Sequence, residues 1–267
     1  MSVLQFDNPV YRLDLRVRVR ERRLWILALF FLLVPLALSM LTLPTFAILS
    51  HWKAPFTDVA AMLSGFALFG HGALLVLFAA LASAQRISQE RERRTLPALV
   101  NSPLSAARIA DGKLLGVWTF DLWLAVLTLP FLAVASLWGG LPFGRLLLAW
   151  GFNVAAAFAV SSFALGLSGL FGRSLSAYLA TGGALFLWCF VVPIACGLAC
   201  GLLDAGETTA MAVSLWHLPL APQIWVFSDG FGGSVGVVMP CVSLTVWAAL
   251  GLAGRALAIR GLRREVY

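Results

Sequence analysis

The chain reads as an all-α membrane protein with six transmembrane helices, and three observations lead there. Of its 267 residues, 61% are hydrophobic and 12% charged, with a mean hydropathy of +0.92. A soluble domain carries about twice that share of charge. Apolar intervals long enough for the roughly 20 residues a helix needs to cross a bilayer recur along the chain. The basic residues are also unevenly placed, which orients such a chain: segments rich in Lys and Arg stay on the cytoplasmic side.

Residues 1–23 are predicted to form an interfacial helix. Asn8-Pro9 is a helix start, with the proline at a position where a missing N–H costs little. Leu13 to Arg20 alternates apolar and polar residues, which is a strand signal. A lone strand at a bilayer would leave its backbone unpaired. A helix instead groups Val10, Leu13, Val17 and Leu24 on one side, with arginines reaching toward phosphates. The six expected spans are Leu24–Trp52, Val59–Gln85, Lys113–Trp138, Leu146–Gly172, Ser174–Leu203 and Gly230–Gly254. The first is too long for the apolar region of a cleavable leader and is expected to be retained.

Charge decides the one ambiguous interval. Thr208 to Ser228 is also uncharged, but Pro219 and Pro222 would break a helix there. With six spans, 17 of the 19 basic residues fall on one side, leaving Lys53 and Arg145 on the other. A seventh span would move the C-terminal arginines across. Residues 204–229 are therefore expected to form an outer re-entrant element, with both termini cytoplasmic. The whole of 1–267 reads as one transmembrane domain without a repeat.

The longest polar interval between spans is residues 89–113, within a predicted cytoplasmic loop at 86–112. Thr95 is expected to cap a helix with Pro97 in its first turn. Leu96, Leu99 and Val100 would form its apolar face. Pro103 ends it and Ser105 caps the next. The order Glu90-Arg91-Glu92-Arg93-Arg94-Thr95-Leu96, then Ser102-Pro103-Leu104-Ser105, then Gly112-Lys113 resembles the cytoplasmic loop of ABC-2-type transporter permeases. The chain departs from that pattern at Pro97 and at Val100-Asn101. The Asn8-Pro9 opening, Leu129-Pro130-Phe131, Gly139-Gly140 and Gly172-Arg173 extend the resemblance along the chain.

The resemblance implies the permease subunit of an ATP-driven exporter in a bacterial cytoplasmic (inner) membrane. It implies two copies of a separate cytoplasmic ATPase, and a second permease as homodimer or heterodimer. The loop becomes a coupling helix, with Glu90, Glu92, Arg93, Arg94, Thr95, Leu96, Leu99, Pro103 and Leu104 as partner-coupling residues. Leu96, Leu99 and Leu104 would dock into the partner while the charges set orientation. ATP and magnesium would be held by the partner, with no cofactor or metal in this chain. A second reading is a polytopic scaffold or maturation factor that transports nothing.

The residues argue against catalysis. Gly112-Lys113 lacks the preceding glycine of a P-loop, and no H-E-x-x-H occurs. Gly166-Leu167-Ser168-Gly169 resembles the serine motif of rhomboid-type proteases, but spans five and six contain no histidine. Small residues on a membrane helix indicate close packing. Cys196 and Cys200 stand one turn apart without a His or acid to complete a metal site. The excess positive charge accompanies no nucleic-acid motif. Two intramembrane groups stand out. Asp121 is expected to pair with Arg108 or Arg173, with a substrate or proton role as the alternative, and His71 to be packed and hydrogen-bonded.

Overall fold

The computed structural model describes residues 8–19, 28–34, 56–137, 142–204 and 234–264, together with Ile26, Ala37, Met40, Leu218 and Pro219. Among the described residues there is no strand. The helices are α1 (Pro9–Val19), α2 (Phe56–Ala84), α3 (Ser88–Glu92), α4 (Leu96–Val100), α5 (Ala106–Val126) and α6 (Leu129–Leu137). They continue with α7 (Phe143–Leu170), α8 (Ser174–Phe186), α9 (Val192–Leu202) and α10 (Ser234–Arg263). Four segments among the described residues are long and apolar enough to cross a membrane: Asp58–Glu92, Phe143–Leu170, Ser174–Leu202 and Pro240–Arg263. Most of the first predicted span and nearly all of the predicted re-entrant element lie outside the described residues.

Helix α7 is the central post, because its inward surface is built from small residues. Ser162, Gly166 and Gly169 face Gly254, Ala258 and Gly261 of α10. A Cβ on Gly254 would strike the backbone of Ser162, and one on Gly261 the backbone of Gly169. The glycines of the Gly166–Gly169 motif are thus used for helix approach. On another side, α7 packs against α2 and α5 through Leu75, Ala79, Leu124, Ala125 and Ala157. Phe31, from the described part of the first predicted span, enters the same cluster with its ring 5.1 Å from that of Phe78. The segment Ser174–Leu202 stands apart, with Leu175, Leu179, Phe186, Phe190, Ile194 and Leu198 all exposed.

Two expected spans are interrupted, each beside a proline. The third divides into α5 and α6 because Pro130 has no N–H and crowds the preceding turn. At the break the carbonyl of Ala125 accepts bonds from the Thr128 N–H (3.2 Å), the Thr128 hydroxyl (2.8 Å) and the Trp150 indole (2.8 Å). A break inside a membrane helix requires this kind of replacement. In the fifth, α8 and α9 are joined by a π-turn at Leu187–Val191, just before Pro193.

The N-terminal segment is helical over Pro9–Val19; of its expected apolar side, the side chains of Val17 and Leu24 lie outside the described residues. Leu13 is 66% exposed, while Tyr11 is buried. Helix α1 lies on α5 over Gly112 and Gly116, whose missing side chains leave room for its residues. Asn8 packs on Gly112 and the Asp14 carboxylate on Gly116. Asn8 accepts from the Val10 N–H (3.0 Å) and donates to the Arg108 carbonyl (2.6 Å), so it caps α1 and ties it to α5 at once. The Tyr11 hydroxyl lies 3.2 Å from that of Thr119.

Candidate functional site

The ends of α1, α2, α5, α7, α8 and α10 converge on the two short helices α3 and α4. Helix α3 begins against α7, where the N–H groups of Ile87 and Ser88 both donate to the Ser168 hydroxyl oxygen, at 3.0 and 3.1 Å. A helix leaves its first N–H groups without internal partners, and Ser168 supplies one from outside. The serine singled out by the protease-like motif is thus a structural acceptor.

The next four residues divide the work by charge. Glu90 accepts a 2.5 Å bond from the Lys113 ammonium, which is buried and also donates to the Arg86 carbonyl at 3.3 Å. Arg91 donates to the carbonyls of Gly169 (3.2 Å) and Phe171, at the C-terminal end of α7. Glu92 accepts from the Ser174 N–H (2.9 Å) and hydroxyl (2.6 Å), at the N-terminal end of α8. A cation thus meets the negative end of one helix dipole and an anion the positive end of the next. The Ser174 hydroxyl and then its N–H hold the Glu92 carboxyl below its usual range. The side chains of Arg93 and Arg94 are exposed, with no hydrogen-bond or ion-pair partner among the described residues.

The turn from α3 to α4 reverses the chain through Arg94, whose φ is +56°. Its N–H donates to the Arg91 carbonyl (3.1 Å) and that of Thr95 to the Glu90 carbonyl (2.9 Å). These two bonds make a Schellman closure, with a non-glycine residue at the left-handed position. Thr95 was expected to cap α4. Its backbone is already helical there, and its hydroxyl instead donates back to the Glu90 carbonyl at 3.2 Å. Pro97 falls in the first turn of α4, and Ser105 caps α5 by accepting from the Arg108 N–H at 3.3 Å, both as expected. Pro103 is exposed in the connection between them.

The leucines are not equivalent. Leu96 is fully buried with Ile87, Ile109, Leu114, Leu165 and Leu262 of its own chain, so it has no surface left for another protein. Leu99 and Leu104 are partly buried against the same cluster and keep an outer edge. The short helix turns its strongest apolar residue inward because the bundle supplies an apolar floor that an isolated loop lacks.

Two further ion pairs fasten this end. Arg86 meets Asp14 of α1 at 2.8 Å, and Arg255 of α10 clamps Asp111 of α5 at 2.6 and 2.8 Å. Sequence reasoning missed Asp14, Arg86, Arg91, Asp111, Ser168 and Arg255 as connectors. Their partners lie 72 to 144 residues away, and no local spacing marks them. The one available signal was that Arg86 and Arg255 are the first charges after long uncharged intervals.

The intramembrane groups lie deeper. Asp121 is buried on α5 on the side of Ser161, and neither carboxyl oxygen has a hydrogen-bond partner among the described residues. The expected pair with Arg108 or Arg173 does not form. Arg108 is exposed about 20 Å back along the same helix, at 1.5 Å per residue. Arg173 is exposed beside Glu92. His71 is buried with its ring 5.9 Å from that of Phe31, and its Nε2 is 3.5 Å from the Thr128 hydroxyl, at the outer limit of a hydrogen bond.

This polar junction spans the sequence stretch that resembles a permease loop, and the wider comparison agrees. The profile described as ABC-2 family transporter protein matches residues 9–211. The chain belongs to the ABC-2 transporter family. The match runs from α1 through α9, so it includes the α3–α4 elbow of this ABC-2 protein and leaves α10 beyond it. Among curated proteins none matches the chain.

Proposed function

We propose that this ABC-2 protein is the permease subunit of an ATP-driven exporter in a bacterial cytoplasmic membrane, and that the α3–α4 elbow receives the stroke of a separate ATPase. The observation that carries this reading is the attachment of the elbow. The elbow bonds to α7 and α8 through Ser168 and Ser174, and the flanking Arg86 and Asp111 bond to α1 and α10 through Asp14 and Arg255. A displacement of so short a segment therefore reaches the ends of several membrane helices together. A loop that only anchors topology needs charge, but has no need of dedicated bonds to each neighbour.

Two permeases, identical or related, pair with two ATPase copies in this reading, and both termini face the cytoplasm. The contact surface is the outer edge of the elbow, comprising Arg93, Arg94, Pro97, Leu99, Pro103 and Leu104. Glu90, Glu92, Thr95 and Leu96 brace it from within. ATP and magnesium belong to the partner, and this chain contributes movement and path.

Pull-down of a cognate ABC ATPase subunit tests the assignment. Leu99→Asp is expected to abolish capture, because the complex would desolvate a carboxylate without a partner. Glu92→Gln is expected to retain capture and lose coupling between ATP hydrolysis and transport. Retained capture and transport in Leu99→Asp would remove the elbow from the interface. A properly inserted chain that captures no ATPase at all would favour the scaffold reading.

A further inference from the structure

Helix α10 carries a site that the elbow does not use. It has 30 residues, about 45 Å at 1.5 Å per residue, against a hydrocarbon core of about 30 Å. Its uncharged part ends at Gly254, so the turns after it lie at headgroup depth. There, an open groove of about 390 Å³ along α10 is lined by Leu252, Arg255, Ala256, Ile259, Arg260 and Arg263. Leu252, Ala256 and Ile259 follow the i, i+4, i+7 spacing of one helix stripe. The three arginines stand beside and beyond it.

Their charge is not balanced locally. Asp111 satisfies part of Arg255, whose side chain remains 42% exposed. Arg260 and Arg263 are exposed with no partner among the described residues. Guanidinium groups bind phosphate through paired N–H donors, and clusters of basic residues just beyond a membrane helix attract anionic headgroups. We propose that this groove binds an anionic phospholipid, with its phosphate among Arg255, Arg260 and Arg263 and an acyl chain along Leu252, Ala256 and Ile259. A free phosphate would use only the cationic half. Because Arg255 also holds Asp111, an occupied site would brace α10 against α5.

The test uses the full chain purified in mild detergent, with bound lipid read by native mass spectrometry and stability by thermal unfolding. Phosphatidylglycerol is expected to stay bound and raise the melting temperature, while phosphatidylcholine and inorganic phosphate at equal concentration do neither. Arg260→Gln/Arg263→Gln should bind phosphatidylglycerol about 30-fold more weakly, from the typical contribution of each arginine near an anionic surface. If that variant does not fold, Arg260→Lys/Arg263→Lys is read instead. A few-fold loss supports the bidentate contact, and unchanged binding overturns it. Equal phosphatidylglycerol binding by the glutamine variant would also overturn the proposal. Equal stabilisation by inorganic phosphate would mean a free-anion site, and displacement of the lipid by the ATPase subunit a protein interface; either result rejects the lipid.

Discussion

Replacing Lys113 by Met tests whether the elbow is held by a buried charge pair. The Lys113 side chain is 6% exposed and that of Glu90 is 33% exposed, with 2.5 Å between ammonium and carboxylate. Met keeps most of the volume and removes the charge, leaving without its cation a Glu90 carboxylate whose second oxygen is already buried without a hydrogen bond. Removing one partner of a fully buried pair costs roughly 3–5 kcal/mol. Glu90 is one-third exposed and can turn to water, which brings the expected loss to about 1–3 kcal/mol. The double variant Glu90→Gln/Lys113→Met leaves no orphan charge and should recover more than half of that loss. Chemical unfolding in detergent micelles, followed by tryptophan fluorescence, supplies the four corners of the cycle. A single variant within about 0.5 kcal/mol of wild type, or a double variant no more stable than the single, would refute the reasoning.

Three other outcomes follow from the same geometry. Arg94→Gly should be more stable than Arg94→Ala by about 1 kcal/mol, because only glycine occupies φ +56° without a Cβ penalty; equal unfolding midpoints would count against the Schellman turn. Gly254→Ala should lose about 1–3 kcal/mol by forcing α10 off the Ser162 backbone, whereas Gly144→Ala, with open space around it, should be neutral or slightly stabilising in the same unfolding assay. Asp121→Asn should leave the melting temperature nearly unchanged, since it exchanges a buried carboxyl with no hydrogen-bond partner among the described residues for an amide of the same shape; a fall of several degrees would reveal a partner for the carboxyl.

Composition and the recurrence of long apolar intervals were enough to read a helical membrane protein. Those properties are sums over many residues and survive local errors. Local capping was legible where one residue acts on its own backbone, as Asn8, Pro97 and Ser105 do. Thr95 was not, because its hydroxyl had a better acceptor in a turn closed by Arg94. The tertiary structure alone decided which way each elbow residue faces. Leu96 and Leu99 share a helix face in sequence, yet one is sealed under Leu165 and Leu262 while the other keeps an open edge. The bonds from Ser168 to Ile87, Glu92 to Ser174 and Arg255 to Asp111 join residues far apart in the chain. Nothing in the periodicity of a single helix encodes such pairings, which arise only when helix ends are brought to the same place by the packing of small residues along α7.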